Sequence, residues 1–285
     1  MTAEMEPALR LRAMTAGDLA CAQRLSRSVK WPHRVEDWAL CLDVGFGVVA
    51  EWQGDVVGTA MGWPYGSDAA ALGMVLVDSY HQGRGIGRRL TRAVMERLDE
   101  RTILLNATEE GLPLYRSLGF QETGSIEQHQ GAAFSVPVVR LQAGERVRPL
   151  GQGDVGAIIA LDKKATGFCR DALISRLLKN AQAVVLDRGG SVAGFALFRR
   201  FGRGYVVGPT VAPDLEGAKA LIGQWIGAGA GMFIRIDVPG VDGLSQWLDN
   251  LGIVRIGRAA TMARGTLAAK DGTVQYFSIA AQAFG

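Results

Sequence analysis

Val75-Leu-Val-Asp-Ser-Tyr-His-Gln-Gly-Arg-Gly-Ile-Gly-Arg-Arg-Leu90 is the stretch that decides how this chain is read. An apolar strand end runs into a turn with three glycines, Gly83, Gly85 and Gly87, and then into a basic helix over Arg88–Leu98. Glycines let the backbone approach a bulky anion closely. The first N–H groups of a helix lack intrahelical partners, and the helix dipole makes that end positive. Together they predict a phosphate site, and Arg84, Arg88 and Arg89 add mobile positive charge around it. A P-loop needs Lys-Ser/Thr after its last glycine, and Arg88-Arg89 stand there instead. The dinucleotide fingerprint needs a sixth-position glycine, which counted from Gly83 is Arg88.

What remains is Gln82-Gly-Arg-Gly85-Ile-Gly87, of the form Q-x-x-G-x-G. Downstream, Thr102-Ile-Leu-Leu-Asn-Ala-Thr-Glu-Glu-Gly-Leu-Pro-Leu-Tyr-Arg-Ser-Leu-Gly-Phe120 gives an apolar strand and a short helix ending Tyr115-x-x-Leu118-Gly119-Phe120. Pro113 suits a first helical turn and Gly119 a helix stop. Both motifs, in this order, resemble those of the GNAT acetyltransferases. The resemblance implies acetyl-CoA as cosubstrate, its pyrophosphate held by Gln82, Gly83, Arg84, Gly85, Ile86, Gly87 and Arg88. It also implies that the pantetheine arm lies along the strand of Val75 and Val77, and that Thr108 sits beside the cofactor. Tyr115 would give a proton to the departing thiolate. The family's general base has no clear counterpart, which leaves His33, Glu109 and Asp78 as candidates.

The resemblance extends over roughly residues 8–141. A strand at Leu9–Met14, helices at Ala16–Lys30 and Val35–Leu42, and a hairpin of Gly47–Trp52 with Val56–Met61 complete that half. The chain then repeats itself. Leu11-Arg-Ala-Met-Thr-Ala-Gly-Asp18 resembles Val147-Arg-Pro-Leu-Gly-Gln-Gly-Asp154, and Gln53–Ala60 resembles Gly189–Ala196. The separations from 18 to 154 and from 58 to 194 are equal; that from Gly119 to Gly252 is three residues shorter. The shortened interval contains the phosphate loop. Its counterpart, Val206–Leu221, has no glycine cluster, carries Pro213, and puts Asp214 and Glu216 where a pyrophosphate would sit. Leu248 stands in the place of Tyr115. The expected fold class is α/β of the α+β type. It comprises two tandem GNAT folds, each a mixed, mostly antiparallel sheet flanked by helices. A coenzyme-binding, catalytic domain spans 1–141 and a degenerate GNAT-like domain 146–285, joined near Gln142–Glu145.

Composition sets the outer bounds. The hydrophobic content of 48% supports two cores, and a formal net charge of +3 is not a nucleic-acid-binding balance. Cys21, Cys41 and Cys169 read as free, buried thiols in a reducing compartment, and His33, His81 and His129 have no metal-ligand spacing. Glu4, Glu6 and Arg10 interrupt any signal-peptide pattern, and no apolar run is long enough to span a bilayer. The expectation is a cytoplasmic monomer or homodimer that acetylates a small-molecule amine and touches neither nucleic acid nor membrane. Phe168, Arg170 or Arg199 would reach the acceptor from the second half. A protein or peptide N-acetyltransferase, and a non-catalytic coenzyme A-responsive protein, are the alternatives.

Overall fold

The computed structural model describes residues 9–240 and 243–285. The first half runs β1 (Arg10–Ala13), α1 (Leu19–Ser28), α2 (Val35–Asp43), β2 (Phe46–Trp52), β3 (Asp55–Tyr65), β4 (Ala69–Val77), α3 (Ile86–Leu98), β5 (Thr102–Ala107), α4 (Leu112–Arg116) and β6 (Gln121–Gly131). The second repeats that order as β7 (Glu145–Pro149), α5 (Val155–Thr166), α6 (Asp171–Leu178), β8 (Gln182–Arg188), β9 (Ser191–Phe201), β10 (Gly204–Ala212), α7 (Leu215–Ala228), β11 (Ile234–Pro239), α8 (Leu244–Asn250) and β12 (Ile253–Arg264), then adds β13 (Gln275–Ser278). The repeat reaches down to single ion pairs. Arg12 binds Asp18 and Glu51 at 2.8 Å each, and Arg148 binds Asp154 at 2.6 Å and Asp187 at 2.7 Å, in the same relative places.

The strands form one sheet in the order β1-β2-β3-β4-β5-β12-β6-β11-β10-β9-β8-β7, with β13 paired to β10. The two halves therefore exchange their last long strands. β5 takes β12 as its neighbour, with Ala260 opposite Ala107 and Arg264 opposite Ile103. β11 takes β6, with Ile234 opposite Gly131 and Pro239 opposite Ile126. The exchanged strands also pair with each other at the centre of the sheet. His129, fully buried on β6, pins the exchange: its ring nitrogens meet the Ile253 carbonyl at 2.9 Å and Ser245 Oγ at 3.1 Å. The expected boundary near 142–145 falls on the crossing from β6 to β7, and each range gives its last long strand to the other's part of the sheet.

Side chains alternate between the faces of the sheet, as strand geometry requires. On β2, Val48 and Ala50 pack toward α3, while Val49 joins the core of α1 and α2. That second core is shared: Trp38 and Trp63 from the first half lie in one apolar cluster with Ile158, Ile174 and Phe195 from the second. Met262 of β12 completes the core under α3. Continuous sheet and shared core predict a single unfolding transition. Phe195→Ala, at a fully buried position, should cost about 3–5 kcal/mol. Denaturant unfolding followed by first-half and second-half tryptophans should show both signals shifting together.

Each half contains a pair of parallel strands that part company. β4 and β5 are in register only from Ala69–Thr102 to Ala71–Leu104, after which they splay. β10 and β11 pair only at Tyr205–Ile234 and Val206–Arg235. A bulge accompanies each splay. Thr59 faces Leu76 and Met61 faces Gly73, so β4 holds one residue more than β3 there, and Met74 sits at φ 53°. In the second half the wedge is filled: β13 pairs with Thr210–Ala212 of β10, and the Ile279 N–H donates to the Asp237 carbonyl at 2.9 Å.

Candidate active site

The helix after the glycine turn begins two residues earlier than its charge pattern suggests. Gly85, at φ 73°, is the residue before α3, and Ile86 opens the helix as a buried apolar anchor. No side chain caps this end, so its first N–H groups stay available to a ligand. Gly83 (φ 76°) and Gly85 both need the left-handed region that glycine adopts without strain, and neither has a neighbour within 4 Å of where a Cβ would stand. Val77, Gln82, Gly83, Gly85, Ile86, Gly87 and Arg88 line a cavity of about 320 Å³ together with His81, Pro113 and Leu114. Gln82 Nε2 donates to the Val77 carbonyl at 3.2 Å and holds the turn against the strand end. Arg88 reaches Ser117 Oγ at 2.9 Å across the mouth. Arg84 stands outside this cavity, over the Trp52 ring at 5.8 Å. Val75 lies half-buried on β4 beside the splay.

Tyr115 is 7% exposed in the core between α3 and β5, its ring edge-on to Phe120 at 5.9 Å. Its hydroxyl has no hydrogen-bond partner among the described residues. Burial raises its pKa well above the ordinary phenol value, so it stays protonated at working pH.

On the opposite face of the splay lies a second cavity, of about 220 Å³. The α1–α2 loop supplies Lys30 and His33, β4 supplies Gly73 and Met74, and the end of β5 supplies Asn106 and Thr108. Thr108 thus lies on this side and not in the cavity of the glycine turn. The second half contributes Phe201, Arg203 and Arg235, and Gln282 closes the cavity from the segment after β13. That segment bridges the splay: Asn106 Nδ2 donates to the Gln282 carbonyl at 3.0 Å, and Tyr65 Oη to the Phe284 carbonyl at 2.7 Å. His33 is caged by the rings of Trp31, Trp38 and Phe201 at 5.8, 6.2 and 5.5 Å, and its Nδ1 has no partner. Burial, then the nearby Arg235 charge, pushes its pKa down to about 4.

Of the three base candidates only His33 lines this cavity. Asp78 instead caps the turn after β4 by accepting from the Tyr80 N–H at 3.0 Å, and Glu109 is exposed. The second-half contacts expected from sequence need correction. Arg170 is locked into a buried pair with Asp162 at 2.6 Å and bonds Tyr276 Oη at 2.9 Å. Arg199 is buried against the Ala280 carbonyl at 2.8 Å. Phe168 and Arg170 line a different cavity, of about 590 Å³, with Tyr65 and the end of β11. It stands to the second half as the smaller cavity stands to the first. Phe201, Arg203 and Arg235 were missed because contact across the halves leaves no spacing signal. The one hint was the glycine-rich turn Phe201-Gly-Arg-Gly204, the repeat counterpart of Tyr65-Gly66. The cysteines are free, but only Cys41 is buried; Cys169 is exposed because it sits on the α5–α6 connection. Among the described residues no cluster could hold a metal ion, and no helix is long and apolar enough to cross a membrane.

The counterpart of the glycine turn in the second half is closed. Asp214 caps α7 by accepting from the Gly217 N–H at 2.8 Å, so a carboxylate of the chain occupies the helix end that a ligand phosphate would need.

Comparison with known proteins bears on the family and the tandem fold. Two family models described as acetyltransferase (GNAT) domain match the chain, one over residues 44–122 and one over residues 158–277. The uncharacterised N-acetyltransferase YitH of Bacillus subtilis is 31% identical over 59% of this chain and 60% of its own length. Among solved structures, a putative acetyltransferase from Pyrococcus horikoshii superposes over all of both chains at TM-score 0.78 and 21% identity. A tandem GNAT protein from the clavulanic acid biosynthesis pathway superposes over 90% of this chain and 98% of its own, at TM-score 0.64 and 15% identity. At these identities the structural likeness speaks to the fold alone.

Proposed function

The chain belongs to the GNAT N-acetyltransferases as a tandem member, and from that premise we propose that its first half moves an acetyl group from acetyl-CoA to a small amine. The observation that carries the reading is the pair of cavities on opposite sides of one strand splay. One is lined by an uncapped helix end and glycines, the other by the α1–α2 loop and the second half. The residues fit a pyrophosphate: free N–H groups of α3, glycines without a Cβ, and Arg88 at the mouth. When bound, acetyl-CoA supplies an activated thioester. The unpaired edge of β4 past Ala71 offers main-chain groups of Val75 and Val77 to an extended amide chain, in the manner of strand addition. The extra residue of the bulge leaves a peptide N–H off the ladder, and Val75 N–H is our candidate donor to the acetyl oxygen. Thr59 Oγ1 donates to the Met74 carbonyl at 2.8 Å and fixes that peptide. Tyr115 gives its proton to the departing sulfur.

The acceptor amine must lose a proton before it attacks. His33 lines the acceptor cavity, is neutral at pH 7, and keeps Nδ1 unpartnered among the described residues; it is our candidate to receive that proton. A cavity of about 220 Å³ lies below the roughly 300–1,000 Å³ common for drug-sized ligands, which favours a small acceptor over a peptide. The second half serves as a wall of the acceptor site and not as a second catalyst. The composition suits a cytoplasmic enzyme.

Two measurements test this. Acetyl-CoA and coenzyme A should raise the melting midpoint where NAD does not, by mass action on the native state; no shift at saturating coenzyme would end the proposal. His33 gives a pH test. Its pKa is depressed on folding, so the unfolded chain binds the proton more tightly. Stability should fall as pH drops through about 6.5 toward about 4. Melting profiles should show that loss in the parent protein and a smaller one in His33→Gln. Equal losses would remove His33 as a buried neutral group.

A further inference from the structure

Resting on the acceptor-cavity reading, we infer that the amine substrate also carries a negatively charged group, a carboxylate, sulfonate or phosphate, bound by Arg203 and Lys30. No Asp or Glu lines this cavity among the described residues, while Lys30, Arg203 and Arg235 all do. Arg235 is already paired with Asp237, which takes its Nε at 2.9 Å and its Nη2 at 2.8 Å. Arg203 and Lys30 are exposed and have no carboxylate partner among the described residues. Behind the cavity wall lies a further cation, which has no salt-bridge partner among the described residues and feels the Asp37 carboxylate only at longer range. Arg199 is 5% exposed, its Nε has no partner, and its guanidinium sits 5.1 Å from the Phe201 ring that lines the cavity. Among the described residues its hydrogen-bond acceptors are the carbonyls of Ala280 and Arg200 alone.

A buried cation without a counterion is costly, and a cleft lined by one sign of charge concentrates ligands of the other. Arg203 is held in place to do this. It projects from the β9–β10 turn, which is fastened to α2 by the Gly202 N–H to Asp37 Oδ2 bond at 3.0 Å and by Arg34 Nη2 donating to the Arg200 carbonyl at 3.4 Å. The same positive field disfavours the ammonium form of the substrate. It therefore anchors the anion and helps free the amine of its proton.

The test uses the full chain saturated with coenzyme A, so that binding is read without turnover. Calorimetry would compare β-alanine, taurine and phosphoethanolamine with β-alaninamide and ethanolamine. Tighter binding of at least one acid, by tenfold or more over its neutral match, is expected, and the three acids distinguish carboxylate, sulfonate and phosphate. Arg203→Glu should erase or invert that preference, while the coenzyme-dependent rise in melting midpoint stays as in the parent. Acids and neutral amines binding alike, or no acid binding while the coenzyme shift is intact, overturns the inference. Loss of the coenzyme shift in the parent protein takes down the acetyl-CoA reading instead, and this inference with it.

Discussion

Tyr115→Phe should lower kcat by about 10²–10⁴-fold, the range of a positioned proton donor, while leaving fold and coenzyme affinity intact. The phenol is held by its ring: it packs under α3 and β5 and meets Phe120 edge to edge. The hydroxyl spends no hydrogen bond on the described residues, so its removal leaves no orphaned partner, and the melting midpoint should stay close to that of the parent. The pH dependence is also fixed by burial. A donor must be protonated, and burial moves the Tyr115 pKa upward, so activity should rise as the acceptor amine deprotonates. It should show no alkaline fall below about pH 10, the ordinary phenol value. Steady-state rates of coenzyme A release across pH, with acetyl-CoA affinity measured separately, check both points. A variant with undiminished turnover would show that the sulfur leaves without this proton.

Much of the candidate site was legible as a constellation because its signals are local. The glycine turn, the basic helix and the Tyr115-x-x-Leu118-Gly119-Phe120 run each lie within a few residues, and local chemistry dictates them. The internal repeat was legible for the same reason, since Arg12 and Asp18 recur as Arg148 and Asp154 with their ion pairs. The strand exchange was not. β6 and β12 are counterparts in the repeat, so the pattern that lets β6 close the first half equally lets β12 do so; no residue in either names its partner. The cavity lined by His33 was hidden by the same fact, because Phe201, Arg203 and Arg235 reach it only through the packing of one half on the other. Arg170 was misleading in the opposite sense: an arginine on a connecting segment reads as exposed, and only the fold reveals Asp162 beneath it.

One coenzyme should bind per chain, and Gly85→Glu should abolish that binding altogether. The two helix ends are built on one plan. At α3 the end is uncapped, glycines at φ 76° and 73° precede it, and among the described residues no strand pairs with β4 inside the splay. At α7 the end is capped by Asp214, and β13 occupies the splay. With the second site closed by the chain itself, damage to the first cannot be compensated. Glutamate at position 85 acts twice. A side chain in the left-handed region costs about 1–2 kcal/mol, and its carboxylate repels the phosphates. Gly85→Ala carries the strain without the charge, so it should weaken coenzyme A binding by about tenfold, against loss beyond about a hundredfold for glutamate. At a hundred times its Kd, coenzyme A should stabilise the parent by about 2.7 kcal/mol and the glutamate variant not at all. Titration calorimetry decides the stoichiometry. Two molecules per chain, or residual binding in Gly85→Glu equal to that in Gly85→Ala, would mean that the second half holds coenzyme despite Asp214 and β13.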